Sequence, residues 1–168
     1  RRRGVQDHAR AGLRRGARRG DDGLDRRLQL NEEHIVRREE LRDLVESYLA
    51  ELALTPELGG LEESTRHALA GGGKRVRPVL CLATAEAAGA EAEKTLPAAA
   101  ALELVHSFSL VHDDLPALDN DELRRGRPST WAAFGEDVAV LAGDALLAEA
   151  LRLALSYPSP SVARELVQ

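Results

Sequence analysis

The residues best suited to chemistry lie between His106 and Pro128, in HSFSLVHDDLPALDNDELRRGRP. Asp113, Asp114 and Asp119 form a DDxxxxD motif, and Arg124, Arg125 and Arg127 follow it. Carboxylates are hard oxygen donors that suit Mg²⁺, which keeps several waters and takes further ligands from phosphate. Guanidinium forks match phosphate oxygens two at a time. On one unbroken helix, six positions turn through about 600°, so Asp113 and Asp119 would diverge. Pro116 ends the helix between them, because proline lacks the N–H and clashes with the preceding turn. The following loop is then free to bring Asp119 back. Two carboxylates held together repel each other unless a cation separates them. Acids are also common at solvated helix ends, so the motif by itself is a weak sign of metal binding.

A second basic cluster, Gly71-Gly72-Gly73-Lys74-Arg75-Val76-Arg77-Pro78, joins the end of one helix to the start of the next. Glycines let backbone N–H groups approach an anion, and a helix N-terminus favours negative charge. It is not a Walker A loop, since Arg75 stands where the Ser or Thr after the lysine belongs. His106, seven positions before Asp113, has nearly the same helical azimuth and is expected to face the same cavity, as are Glu103 and Leu110. His112-Asp113 also spells HD, but the further His and Asp ligands of an HD phosphohydrolase are missing.

Helices must position these groups. Leu41, Leu44, Val45, Tyr48, Leu49 and Leu52 mark one apolar face of a helix from Arg38. A short helix is expected over Leu61–Ala70, a third over Arg77–Ala88, and a long Ala/Leu helix opening at Pro97 and running into Asp113, after a connection over Glu91–Leu96. Asn120–Ser129 reads as loop, Trp131–Ser156 as one long helix, and Ser161 as the cap of another. No strand alternation is visible, so the reading is all-α. Aromatics are only 3% of the 168 residues and hydrophobic residues 43%, so the core is Leu, Ala and Val. The net charge of −5 argues against nucleic acid as partner. No apolar run reaches the length of a membrane span. Cys81 is the single cysteine, which suits a reducing, cytoplasmic setting.

Residues 1–35 differ from the rest. Arg1–Gly20 holds eight arginines and one acid, without apolar periodicity. Such a run does not fold alone, and it has the composition of a nucleic-acid- or membrane-binding tail or a transit peptide. The preferred expectation is that it is non-native: translation begins at Val36, and Asn31-Glu32-Glu33 reflects a purine-rich ribosome-binding tract. The chain contains no Met and is expected to be a fragment.

Taken together, GGGKRVRP at 71–78, ELVHSFSLVHDDLPALD at 103–119, LRRGRPS at 123–129 and LAGDAL at 141–146 resemble the N-terminal half of a trans-isoprenyl diphosphate synthase, of the polyprenyl synthetase family. The resemblance covers residues 36–168. It implies an all-α, isoprenoid-synthase-type antiparallel bundle around a central cavity, and a homodimer. It implies Mg²⁺ on Asp113 and Asp119, with Asp114 beside them as a further candidate ligand, the allylic diphosphate (dimethylallyl or geranyl) on Arg124, and isopentenyl diphosphate on Lys74, Arg77, His106 and Arg125. Head-to-tail prenyl transfer is the implied reaction. DDLPALD and Phe108 resemble bacterial farnesyl diphosphate synthases. Geranylgeranyl diphosphate synthases share the insertion and stand as the alternative, as does a non-catalytic partner subunit. The family's second aspartate-rich motif is missing, so the chain is expected to be inactive alone. Phe108 is implied to limit product length, although helix geometry sets it about 140° from Asp113. Replacing Phe108 by Ala in a completed enzyme should lengthen the product, as read by product chromatography; an unchanged product contradicts the role.

Overall fold

The structure is a computed structural model describing residues 22–168. The basic leader expected over 1–35 falls outside those residues up to Asp21; from Asp22 the backbone is helical. The elements are α1 (Asp22–Glu51), a 3-10 turn (Pro56–Leu61), α2 (Glu62–Leu69), α3 (Val76–Ala87), α4 (Ala92–Asp113), β1 (Leu123–Arg124), β2 (Arg127–Pro128), α5 (Thr130–Phe134), α6 (Glu136–Ala154) and α7 (Pro160–Leu166). The chain divides into two units at Val36–Arg37, and the second, Arg37–Gln168, carries the glycine-lysine loop, the DDxxxxD motif and the arginine cluster that follows it.

Among the described residues the fold is all-α apart from one hairpin of two-residue strands. The periodic face of α1 is the buried one: Leu41, Val45, Leu49 and Leu52 enter the core, while Leu44 and Tyr48 pack at its edge. They meet Leu82 of α3, Ala99, Leu104 and Val111 of α4, and Leu146 and Leu153 of α6. Four consecutive alanines of α4, Ala98–Ala101, are all buried. Small side chains on every side of a helix let neighbours approach closely, which compensates for the scarcity of aromatic bulk.

Several boundaries differ from expectation: α1 is helical from Asp22 and not from Arg38, and the segment expected as loop over Asn120–Ser129 holds the β1–β2 pair. α4 starts at Ala92, so Pro97 lies inside the helix and Glu91–Leu96 is mostly not a connection. Tyr157 accommodates the damaged ladder. Its hydroxyl accepts from the Ala98 N–H at 3.3 Å and donates to the Lys94 carbonyl at 3.1 Å. Those two backbone groups would pair directly in an unbroken helix; here a side chain is inserted between them. The helix expected over Trp131–Ser156 is split into α5 and α6 at Gly135, whose φ of 95° and ψ of 158° suit glycine. Finally, Ser159 rather than Ser161 is the cap of α7, with Pro160 in its first turn.

The C-terminal half of α4 lies close against α6. His112 is held by Nε2 at 3.0 Å from the Val140 carbonyl and by an edge-on contact with Phe108, ring centroids 4.8 Å apart. Gly143 lies under the same imidazole: a Cβ there would collide with the ring. Thus His112 of the HD pair is absorbed by packing, and LAGDAL contains a glycine because His112 occupies the space. Gly143→Ala should therefore destabilise the chain by about 1–3 kcal/mol through overpacking. In a His112→Ala background it should instead stabilise by about 1 kcal/mol, the ordinary helix preference for alanine. Urea unfolding of the four proteins checks this change of sign.

Candidate diphosphate site

The site begins with a buried arginine. Arg75 is left-handed (φ 44°), an uncommon conformation for a residue with a side chain. It is 5% exposed. Nη1 donates to Glu103 at 2.6 Å, Nε and Nη2 to Glu46 at 2.9 and 3.1 Å, and Nη2 also to the Leu69 carbonyl at 2.8 Å. One guanidinium thus ties the end of α2 and the start of α3 to α1 and α4. Burial works against its charge, but the hydrogen bonds it donates to the two glutamates, with their negative charge, outweigh that and raise its pKa. Sequence reasoning placed Glu103 towards the cavity and left Arg75 without a role. With Arg75 committed inward, Lys74 and Arg77 on either side of it are exposed.

At the far end of α4, Asp113 is the last helical residue and Asp114 the cap. The loop then folds back: the Asp119 N–H donates to the Asp113 carbonyl at 2.8 Å, and the Asp121 N–H to the Asp114 carbonyl at 3.1 Å. The backbones of Asp113 and Asp119 are therefore adjacent, and both residues are exposed. Asp114 is not. It is 3% exposed, and its carboxylate receives Arg124 Nε at 3.0 and 3.2 Å, together with Nη2. The buried face of α4 in the cleft is Glu103, Ser107, Leu110, Val111 and Asp114. Asp114, not Asp113, continues the line of Glu103.

The arginines sit on a hairpin. Leu123 pairs with Pro128 and Arg124 with Arg127, leaving Arg125 and Gly126 as a two-residue turn with φ of 54° and 76°. Two positive φ values make it a type I′ turn, which matches the natural twist of the strands. Its three arginines then engage the cap of α4 and the connection between α2 and α3. Arg124 holds Asp114. Arg125 lies over Gly73, where any Cβ would run into its guanidinium. Arg127 Nη1 donates to the Ala70 carbonyl at 2.9 Å. His67 of α2 reaches the Pro128 carbonyl at 2.9 Å, and the Trp131 Nε1–H donates to the Asp121 carbonyl at 2.9 Å. The glycine loop and the arginine hairpin, far apart in sequence, are in contact, and the three-glycine run is explained at Gly73.

His106 is half-buried. Burial first, and then the charge of Arg77, push its pKa below 6.5, with Arg125 and Arg124 adding to the same effect. The ring is therefore biased towards its neutral form and sits in the positive field of three site cations. Phe108 is occupied by its edge-on contact with His112. Among the described residues, no three His, Cys, Asp or Glu side chains converge on a possible ion position. The donor set still fits Mg²⁺: Asp113 and Asp119 are hard, exposed carboxylates on one closed loop, and this ion commonly takes one or two carboxylates with the balance from water and phosphate. Among the described residues no helix is long and apolar enough to cross a membrane.

An all-α bundle with a basic hairpin facing a glycine-lysine loop defines an isoprenoid-synthase-type protein, and the comparisons agree. The polyprenyl synthetase family matches residues 59–168, and the chain belongs to that family. It is 55% identical over 102 residues to the heterodimeric geranylgeranyl pyrophosphate synthase large subunit 1, chloroplastic, of Arabidopsis thaliana, covering 61% of this chain and 28% of that protein. It is 59% identical over 88 residues to the geranylgeranyl diphosphate synthase of Cyanophora paradoxa, covering 52% of this chain and 29% of that one. Among solved structures, an FPP/GFPP synthase from Zymomonas mobilis superposes with a TM-score of 0.73 at 38% identity, over 83% of this chain and 51% of that chain. A geranyltransferase from Legionella pneumophila gives 0.67 at 36% identity, over 83% and 50%. The match thus spans under a third of the length of these curated relatives and about half that of the solved chains.

Replacing Arg75 by Met should cost about 3–5 kcal/mol, because Glu103 is left as a buried, uncompensated charge. Combining it with Glu103→Met should recover part of that loss. Denaturant unfolding measures both; a single variant within about 1 kcal/mol of the parent would contradict the clamp.

Proposed function

We propose that this chain contributes the first diphosphate- and Mg²⁺-binding wall of an enzyme that transfers an allylic prenyl group head-to-tail onto isopentenyl diphosphate. The observation that carries this reading is the contact of Arg125 with Gly73. It brings the hairpin cations against the loop that bears Lys74 and Arg77, so cations from both motifs surround one region with His106 beside them. Single cationic loops are usually just solvated; two that meet can hold a diphosphate.

The roles follow from position. Arg124 binds and orients the allylic diphosphate. Lys74, Arg77, His106 and Arg125 hold isopentenyl diphosphate, with His106 able to accept a hydrogen bond or a proton as anionic charge arrives. Asp113 and Asp119 hold Mg²⁺ with the substrate phosphates; when bound, the ion supplies positive charge to the departing diphosphate. The protein's remaining contribution is preorganised charge at the site of the leaving anion. Arg75 and Asp114 keep their neighbours in place.

The names of the relatives support geranylgeranyl diphosphate as the product over farnesyl diphosphate. One solved neighbour is named an FPP/GFPP synthase, and Phe108 is the proposed length-limiting group. A homodimer is the proposed assembly; the Arabidopsis relative's name records a heterodimer, and a related partner subunit would serve equally to complete the cavity. We place the chain in the cytoplasm on its cysteine content, whereas the chloroplastic names of plant relatives favour a plastid.

The His106 ring tests the reading directly. In the free chain its NMR titration midpoint should lie below 6.5. Added diphosphate with Mg²⁺ should raise the midpoint, since the anion offsets Arg77 and Arg125. A midpoint unmoved at saturating ligand contradicts the proposal.

A further inference from the structure

Three aspartates open the acidic motif, and the structure treats one of them differently. Asp113 and Asp119 are exposed. The Asp114 side chain is 4% exposed, and that of its partner Arg124 is 34% exposed. Arg124 Nε reaches both Asp114 oxygens, at 3.0 and 3.2 Å, and Nη2 joins it on Oδ1. Nη2 also lies 3.4 Å from Asp121. The hydrogen bond it donates to Asp114 is the leading cause of a raised Arg124 pKa. The Asp114 carbonyl meanwhile accepts the Asp121 N–H. One residue therefore fixes the returning loop through its backbone and the guanidinium through its side chain.

We propose that Asp114 is a positioning residue for Arg124 and not a third Mg²⁺ ligand. Arg124 stands on a strand of two residues, too short to constrain a long side chain. The fork geometry of a guanidinium means that fixing its Nε edge also fixes where the remaining N–H groups point. With Nε on a buried carboxylate, those groups are aimed outward before any anion arrives, which lowers the ordering cost of binding. Ligating a metal would require Asp114 to leave this pair and strand a buried charge. This role rests on the diphosphate reading of the site.

Calorimetry with inorganic diphosphate separates the possibilities, in EDTA and again with Mg²⁺. Asp114→Asn should weaken binding about tenfold in both media, the size of a charge-assisted hydrogen bond. Asp113→Asn should weaken it only with Mg²⁺. In an Arg124→Gln background, Asp114→Asn should add nothing further. A loss confined to the Mg²⁺ medium and additive with Arg124→Gln would overturn the positioning role. A parent chain that binds diphosphate while Asp114→Asn binds equally well also overturns it, leaving the diphosphate reading intact. A parent chain that binds diphosphate in neither medium overturns that reading and this one together. An independent check needs no variant: the Arg124 Nε–H resonance of the free parent chain should be protected from exchange, and a fast-exchanging one refutes the pair.

Discussion

The arrangement depends on the burial of one positive charge. Arg75 lies between Glu46 and Glu103, with the Leu69 carbonyl completing its donors. A buried charge is tolerated only when it is paired and hydrogen-bonded, so the acids on α1 and α4 fix where the loop after α2 must run. That loop must then reverse in a left-handed residue at Arg75. The reversal presents Lys74 and Arg77 outward and leaves Gly73 bare for Arg125. The clamp itself contributes little net stability by comparison with an apolar core; its consequence is register.

The hairpin is the counterpart of the clamp. Its turn holds Arg125 at positive φ, a conformation that costs of order 1 kcal/mol in a non-glycine residue. The surrounding contacts to Asp114, Ala70, Pro128 and Asp121 over-determine it. Strain held in place by several independent fasteners is what a preorganised anion site requires. Away from the site the same economy recurs: Tyr157 repairs the ladder at Pro97, and Glu149, buried at 2%, takes the Thr55 N–H and hydroxyl and the Arg152 guanidinium. Burial pushes the Glu149 carboxyl up, yet those hydrogen bonds leave it lowered.

The parts legible in the sequence were those written in local patterns. Leu41, Val45 and Leu49 announced their helix by spacing, and Pro116 correctly marked the end of α4. The rest depended on distant partners. Pro97 read as a helix start because nothing nearby shows that a tyrosine 59 positions away accepts its neighbour's N–H. Arg75 read as one cation among several because its acids lie 29 and 28 positions away. Asp114 read as a twin of Asp113, although a helix turns by about 100° per residue and sends adjacent side chains to different surroundings. Gly135, the Arg125-Gly126 turn and Ser159-Pro160 were local signals overlooked.

The central claim is that the glycine-lysine loop and the arginine hairpin form one diphosphate site. A crystal structure of the chain grown with Mg²⁺ and a non-ionisable allylic diphosphate analogue addresses it most directly. The diphosphate is expected against Arg124 on the outer side of the Asp114 pair, with Asp113 and Asp119 holding the metal. A diphosphate found elsewhere, or a metal bound by Asp114 with Arg124 released, would contradict it.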